Sequence, residues 1–210
     1  MTDKSLRDAN VFVAVAQLEA PIGQSHGMTR LRLLDSSSAP LSTLPYFEHG
    51  DPGPIVAALA HVPELLPPTA SFIGAALGPG AASTRHKEMA ILRTSAIQGC
   101  QYCTRAHTVA SLASGLTDEE VHALRNEQPW TESFPSEDEQ ALLAWIDAMA
   151  STGPVDELTW ATARTRWPDH LLIELAVTIG ATILLNRFAT GFELPTSVDV
   201  AERLAAGGWA

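Results

Sequence analysis

Residues 83–115 read STRHKEMAILRTSAIQGCQYCTRAHTVASLASG, and this stretch decides the fold. Ser83 or Thr84 supplies a side-chain oxygen that can cap the first turn of a helix. Apolar residues at helical spacing follow from Glu88 onward, and Gly99 is the position at which that helix should end. The first half of the stretch is therefore predicted to be one helix.

The second half of the same stretch predicts another helix. Cys100 opens it directly after Gly99, and it runs through His107 to about Leu112, with Gly115 as its C-terminal stop. The amides of a first helical turn have no partner within their own helix, and the helix dipole favours negative charge there. We therefore expect the start of this helix to stabilise a thiolate.

Helical signals continue along the rest of the chain. Thr117 with Glu120 forms a capping-box pattern, and Ser136 with Glu139 repeats it. Further helices are predicted over residues 55–60, 69–77, 158–166 and 170–188. The last is almost entirely apolar, so we expect it to be buried between other helices. No alternating strand pattern follows residue 54, and the predicted fold class is all-α.

Length and breaker residues divide the chain unevenly. A length of 210 residues suits one domain or two small halves, and it suffices for a sizeable core. Proline and glycine cluster at positions 51–54 and break the chain there. We interpret residues 1–53 as an N-terminal arm or lead-in, and residues 54–210 as the helical domain.

Composition excludes several classes of function. Hydrophobic residues make up 46% of the chain and charged residues 18%, as in ordinary soluble globular proteins. The net charge of −11 argues against sequence-independent binding to nucleic acid or to an anionic membrane. We recognise no secretory signal and no apolar run of membrane-spanning length, so a cytoplasmic protein is expected.

Cys100 and Cys103 are the only cysteines of the chain, and they form a C-x-x-C pair. Such a pair can cycle between dithiol and disulfide, and its thiols often have a low pKa. On a helix, positions 100, 103 and 107 lie on one face, so His107 could take up a thiol proton. The arrangement indicates a redox-active dithiol with its own base.

Three plainer interpretations of the cysteines remain open at this point. A zinc site would need further ligands, and no histidine pair with H-x3-5-H spacing is present to supply them. A structural disulfide across so short a loop would constrain the unfolded chain little. Two unreactive cysteines packed as small apolar residues would also fit the pattern.

A second part of the chain repeats the pattern of the first. Residues 88–100 can be laid over residues 174–186, so that Glu174 takes the place of Glu88 and Asn186 the place of Cys100. The second copy lacks the thiols. We interpret the pair as a degenerate internal helical repeat, whose second copy, with Arg187 at its end, shapes the pocket or a subunit interface.

The pattern Glu88-x11-Cys100-x2-Cys103-x3-His107, within a helical chain of this length, resembles the alkylhydroperoxidase D-like proteins of the carboxymuconolactone decarboxylase superfamily. The flanking sequence is similar as well, in Arg85-His86-Lys87 before the motif and Asn186-Arg187-Phe188-Ala189 far beyond it. The resemblance covers residues 28–195 and is strongest over residues 85–107.

This resemblance implies an all-helical fold, a homo-oligomer (commonly a trimer or hexamer), and thiol-dependent peroxidase activity without metal or haem. Cys103 would be the peroxidatic thiol and Cys100 its disulfide partner, while Glu88 and His107 would form a proton relay. The implied partners are a hydroperoxide and a reductant, either a small dithiol or a thioredoxin-like or lipoyl donor.

Two features set the chain apart within that superfamily. The well-known peroxidases carry a histidine just before the second cysteine, and here that position is Tyr102, whose phenol does not relay protons at neutral pH as imidazole does. The decarboxylase branch acts on a muconolactone without a cysteine pair. A redox-sensing module that forms oligomers, and a decarboxylase-like enzyme acting on a small organic acid, are the alternative functions.

Overall fold

The computed structural model describes residues 29–209, and every regular element in that range is helical. A 3-10 helix at Leu41–Phe47 comes before ten α-helices. These are α1 (Pro54–Leu59), α2 (Leu66–Leu77), α3 (Thr84–Ile97), α4 (Gln101–Ala113), α5 (Asp118–Leu124), α6 (Trp130–Ser133), α7 (Glu137–Ala150), α8 (Glu157–Arg166), α9 (Asp169–Phe192) and α10 (Val198–Ala206). The all-α prediction is confirmed. The first 28 residues, which include half of the predicted arm, lie outside the described residues.

The described residues divide into two compact units, residues 29–78 with 188–209, and residues 79–187. In the first unit, Phe47 of the 3-10 helix packs with Val56, Ala60 and Leu66 in a small apolar core. The boundary predicted between residues 53 and 54 falls inside this unit. The division into arm and helical domain stays a prediction.

The second unit is built around α3. Lys87 and all residues from 89 to 95 are buried, because α3 packs against α4, α5 and α7. Its predicted cap is present, since the Ser83 hydroxyl accepts a hydrogen bond from the His86 amide at 3.2 Å. The capping box of Thr117 and Glu120 at the start of α5 is present too.

Charged side chains tie α3 to its neighbours. The Arg85 guanidinium hydrogen-bonds to Glu120 at the start of α5 and to Glu139 of α7, and these contacts raise its pKa further. Burial, the largest single influence, raises the pKa of Glu120, but the contacts with Arg85 and Thr117 together outweigh it and lower the pKa, so the carboxyl stays charged. Arg93, which is 8% exposed, forms a two-pronged ion pair with Asp147 of α7, at 2.6 and 3.0 Å.

Two corrections concern α9. It extends to Phe192, beyond the predicted end at residue 188, and it is not buried on all sides, since Ile173 and Leu184 are exposed. It is also long and apolar enough to cross a membrane by length and composition, contrary to our expectation, although core helices of soluble proteins meet the same criterion. Glu174 on this helix pairs with the buried Lys87 at 2.8 Å, which is a contact of a core helix.

Candidate active site

The site lies where α3 ends and α4 begins. Gly99 has a φ of +66°, a left-handed conformation that glycine adopts without the steric cost of a Cβ. The Cys100 amide then donates to the Ser95 carbonyl at 3.0 Å, which closes the end of α3. The predicted break at Gly99 is confirmed, and it places Cys100 at the N-cap of α4.

The two thiols are brought together at this cap. The Cys100 Sγ accepts a hydrogen bond from the Cys103 amide at 3.3 Å, and the two Sγ atoms lie 2.7 Å apart. Both cysteines are free, and they are 1% and 5% exposed. The first turn of α4 therefore offers one of its amides to the Cys100 sulfur. No cluster of three or more potential metal-binding side chains occurs among residues 29–209.

The contact between the two thiols changes how readily they lose their protons. The hydrogen bond with Cys100, with burial second, raises the pKa of Cys103 well above the ordinary range of a thiol. Two acids in contact titrate as a unit, so this rise belongs to the loss of the second proton. The Cys103 amide stabilises a negative charge on the Cys100 sulfur, and the raised pKa of Cys103 describes the neighbouring thiol that keeps its proton.

Glu88 and His107 form the other half of the site. The His107 Nδ1 lies 2.9 Å from the Glu88 Oε2, and both side chains are largely buried, at 15% and 13% exposed. The carboxylate fixes the orientation of the ring, so that Nε2 faces away from Glu88. His107 follows Cys103 by one turn of α4, on the same helical face. The four predicted residues thus form two contacting pairs, the thiols and the acid with its histidine.

One contributing residue was missed by the sequence analysis. Ser95 accepts the Cys100 amide through its carbonyl, and its buried hydroxyl donates to the Asn186 Oδ1 at 3.2 Å. It therefore links α9 to the cap that holds the thiols. The available signal was a serine within an apolar helical run, five residues before the first cysteine.

The two copies of the predicted internal repeat differ in their contacts and in where their helices end. Glu88 pairs with His107, whereas its counterpart Glu174 pairs with Lys87 and accepts the Ala82 amide. The position that corresponds to Gly99 is Leu185, and α9 continues through it without a break. No cap forms at Asn186 for that reason. The repeat itself stays a prediction.

Comparison with known proteins identifies this arrangement. Residues 63–149, which contain both cysteines, Glu88 and His107, match the family model of the carboxymuconolactone decarboxylase family. This match supports the resemblance to the alkylhydroperoxidase D-like/carboxymuconolactone decarboxylase superfamily over the part of the chain that carries the motif. No curated protein matches it significantly in sequence.

Solved structures of similar fold come from several bacteria. A protein of unknown function from Agrobacterium tumefaciens, suggested to be the antioxidant defence protein AhpD, is 26% identical over 67% of this chain and 96% of its own, with a TM-score of 0.60. A peroxidase-related protein with an alkylhydroperoxidase AhpD core, from Ralstonia eutropha JMP134, is 17% identical over 84% and 96%, with a TM-score of 0.71. The debrominase Bmp8, solved with 2,3,4-tribromopyrrole, is 18% identical over 88% and 98%, with a TM-score of 0.69. The last two likenesses establish the shared AhpD-like fold.

Tyr102 is the position at which the chain departs from the peroxidases that it resembles. It lies in the first turn of α4 between the two cysteines and is half-buried. Its phenol cannot replace an imidazole as a base at neutral pH. Among the residues predicted for the site, His107, in contact with Glu88, supplies the imidazole.

Proposed function

We propose that this protein is a thiol-dependent peroxidase that reduces hydroperoxides with the Cys100–Cys103 pair. The observation that supports this most directly is the contact of the two sulfurs, 2.7 Å apart at the N-cap of α4. The first turn of α4 can stabilise a thiolate at this cap, and the second thiol lies beside it. No metal or organic cofactor takes part.

The first step is attack by the Cys103 thiolate on the terminal oxygen of the hydroperoxide. The O–O bond breaks, the sulfur becomes a sulfenic acid, and the alkoxide leaves. Protonated His107 gives the alkoxide a proton at Nε2, while Glu88 stabilises the charged ring through Nδ1. The products of this step are an alcohol and an oxidised Cys103.

The second step joins the sulfurs. Cys100 attacks the sulfenic sulfur, water leaves, and a disulfide forms before further oxidation. The contact between the thiols favours this step, because no rearrangement of α4 is needed. An external dithiol, or a thioredoxin-like or lipoyl donor, then reduces the disulfide by thiol exchange. Each turnover thus moves two electrons from the donor to the peroxide.

The decisive experiment follows the oxidation of the reduced protein by cumene hydroperoxide and by hydrogen peroxide. Wild type should lose two thiols per chain for each peroxide consumed. Cys103→Ser should consume none, whereas Cys100→Ser should complete one turnover and accumulate sulfenic acid at Cys103. Equal consumption by wild type and Cys103→Ser would overturn the assignment.

The debrominase of the same fold supplies a second substrate class to assay. A dithiol can also deliver the two electrons that replace a C–Br bond by C–H, with bromide as the leaving ion. Release of bromide from 2,3,4-tribromopyrrole, with no consumption of peroxide, would favour that reaction over peroxide reduction. A redox sensor would instead change its molecular mass between the reduced and oxidised forms, with no turnover of either substrate.

We further propose a cytoplasmic, homo-oligomeric enzyme that binds neither nucleic acid nor membrane. The net charge of −11 supports the exclusion of anionic polymers and surfaces. A reducing compartment would keep the pair in the dithiol state that the first step requires.

A further inference from the structure

The hydroxyl of Ser95, close to the thiol cap, is directed away from its own helix. Hydroxyls on other helices donate to the carbonyl four residues earlier in the same helix, as Thr108 does on α4 and Thr182 on α9, at 2.7 and 2.8 Å. Ser95 is fully buried, and its hydroxyl donates instead to the Asn186 Oδ1 of α9 at 3.2 Å. Asn186 therefore competes with the carbonyls of α3 for this hydroxyl.

The direction of this hydroxyl affects the shape of α3. A serine hydroxyl that donates to a carbonyl of the preceding turn often bends the helix. For Ser95 that carbonyl belongs to Ile91, four residues earlier on α3. The bond to Asn186 keeps the hydroxyl away from this carbonyl, so no such bend is imposed on the last turn of α3.

The last turn of α3 determines where the thiols lie. The Cys100 amide donates to the Ser95 carbonyl at 3.0 Å and the Gly99 amide to the Ala96 carbonyl at 3.2 Å, which are the two bonds of a Schellman motif. Cys100 is thus both the last residue of this motif and the N-cap of α4. A shift of the Ser95 carbonyl displaces Cys100, and with it the sulfur that accepts the Cys103 amide at 3.3 Å.

Stability alone does not explain an asparagine at position 186. Asn186 is 1% exposed, and its Nδ2 has no hydrogen-bond acceptor within residues 29–209. A buried N–H without an acceptor is unfavourable, whereas an apolar side chain of the same size carries no such penalty. A leucine would suit this buried position at least as well. The benefit of asparagine therefore lies in the acceptor that it offers to Ser95.

We propose that Asn186 is a positioning residue of the Cys100–Cys103 pair, which holds the Ser95 hydroxyl so that Cys100 stays in place at the cap of α4. The consequence is chemical, because the Cys103 amide stabilises a negative charge on the Cys100 sulfur only at short distance. The proposal concerns the acidity of the thiols toward any oxidant, so it is independent of the proposed peroxidase reaction.

The test is a pH titration of the reduced protein, followed by the ultraviolet absorbance of the thiolate, with no peroxide present. Asn186→Leu should raise the midpoint of the first thiol ionisation, so that the thiolate fraction at neutral pH falls about three-fold or more. Its unfolding free energy in urea should not fall, because the unsatisfied N–H is removed and Ser95 finds an acceptor in its own helix. A chain with Cys100→Ser and Cys103→Ser supplies the background absorbance of tyrosine.

Thr182→Val is the matched control. It removes a buried hydroxyl one turn earlier on the same face of α9, and that hydroxyl donates within α9, so the ionisation midpoint should not change. A second variant separates positioning from general packing. Adding Ser95→Ala to Asn186→Leu removes the hydroxyl that would bend α3, and the midpoint should return to the wild-type value.

The combination of the three titrations decides the proposal. A midpoint raised in Asn186→Leu, restored by Ser95→Ala and unchanged in Thr182→Val supports it. An unchanged midpoint in Asn186→Leu, an equal rise in Thr182→Val, or a rise that Ser95→Ala does not restore overturns it. If Asn186→Leu does not fold, Asn186→Ala, which removes the same acceptor with less bulk, is titrated in its place.

Discussion

At the scale of single residues, the proposed chemistry depends on a negative charge at the pair of sulfurs. A lone buried thiol would stay protonated, because burial disfavours the charged form. The Cys103 amide and the neighbouring thiol offset that cost for one negative charge, while the second proton becomes harder to remove. The pair is therefore suited to carry one nucleophile and one resolving thiol at the same time.

This sharing predicts the pH dependence of stability. Because the pKa of Cys103 is raised in the folded protein, its stabilising contribution is present below the ordinary cysteine value of about 8.5 and is lost as pH rises toward the folded value. Thermal unfolding of the reduced wild type should show a falling midpoint above that pH. Cys100→Ser removes the charged neighbour and should flatten the fall. An identical pH profile for the two proteins would contradict the shared proton.

In the proposed proton relay Glu88 acts through His107, and this gives a second prediction. Glu88→Gln removes the negative charge beside Nδ1, so the ring is a weaker base and the rate of peroxide-driven thiol oxidation at neutral pH should fall by about ten-fold or more. The difference should shrink at alkaline pH, where the thiol pair ionises without a base. A merely structural role would lower the rate equally at every pH.

The control for this measurement is Glu202→Gln, an exposed glutamate on α10 in the other compact unit. It should oxidise at the wild-type rate throughout the pH range. A Glu88→Gln rate equal to that of the control would remove Glu88 from the proton relay.

At the scale of elements, the left-handed residue between α3 and α4 positions the thiols. Gly99 and Gly115 both follow a helix, both have positive φ values (+66° and +89°), and neither has an atom within 4 Å of an added Cβ. Alanine at either position costs about 1 kcal/mol of unfolding free energy, because an L-residue is strained in that conformation.

The two glycines therefore make a matched pair. Gly99→Ala should slow thiol oxidation, since relief of the strain moves the Cys100 cap, whereas Gly115→Ala should show only the stability loss. Urea unfolding measures the loss of stability. The loss of thiols to cumene hydroperoxide measures the rate of thiol oxidation. Equal oxidation rates for both variants would show that the turn at Gly99 does not position the cap.

The elements also show where sequence reasoning was sufficient. Helices α3, α4 and α5 were predicted with nearly correct ends, because caps and glycines are local signals read from a few neighbouring residues. The short helix α6 and the C-terminal α10 were not predicted. Helix α9 was expected to be buried on every side, and the pattern of its exposed residues depends on neighbours that are distant in sequence.

At the scale of the whole molecule, the net charge of −11 sets how charged substrates approach. Cumene hydroperoxide is neutral, so its rate of reaction with the thiols should not depend on ionic strength. A fatty-acid hydroperoxide is anionic, and repulsion should slow it at low salt and be relieved as salt is added. Stopped-flow oxidation at several salt concentrations checks this. A neutral peroxide with the same salt dependence would exclude electrostatic repulsion as the cause.

The sequence by itself determined the all-helical class, the break at Gly99 and the C-x-x-C motif with its superfamily resemblance. These depend on residue types and short spacings, which act locally along the chain. It also named Cys100, Cys103, Glu88 and His107, but as a linear pattern.

Only the tertiary structure decided that Glu88 contacts His107 across 19 residues, that Ser95 links the thiol cap to Asn186, and that α9 turns aliphatic residues outward. Contacts between distant residues form when helices pack, and packing depends on the combined shape of many side chains. No spacing within a single helix carries that information.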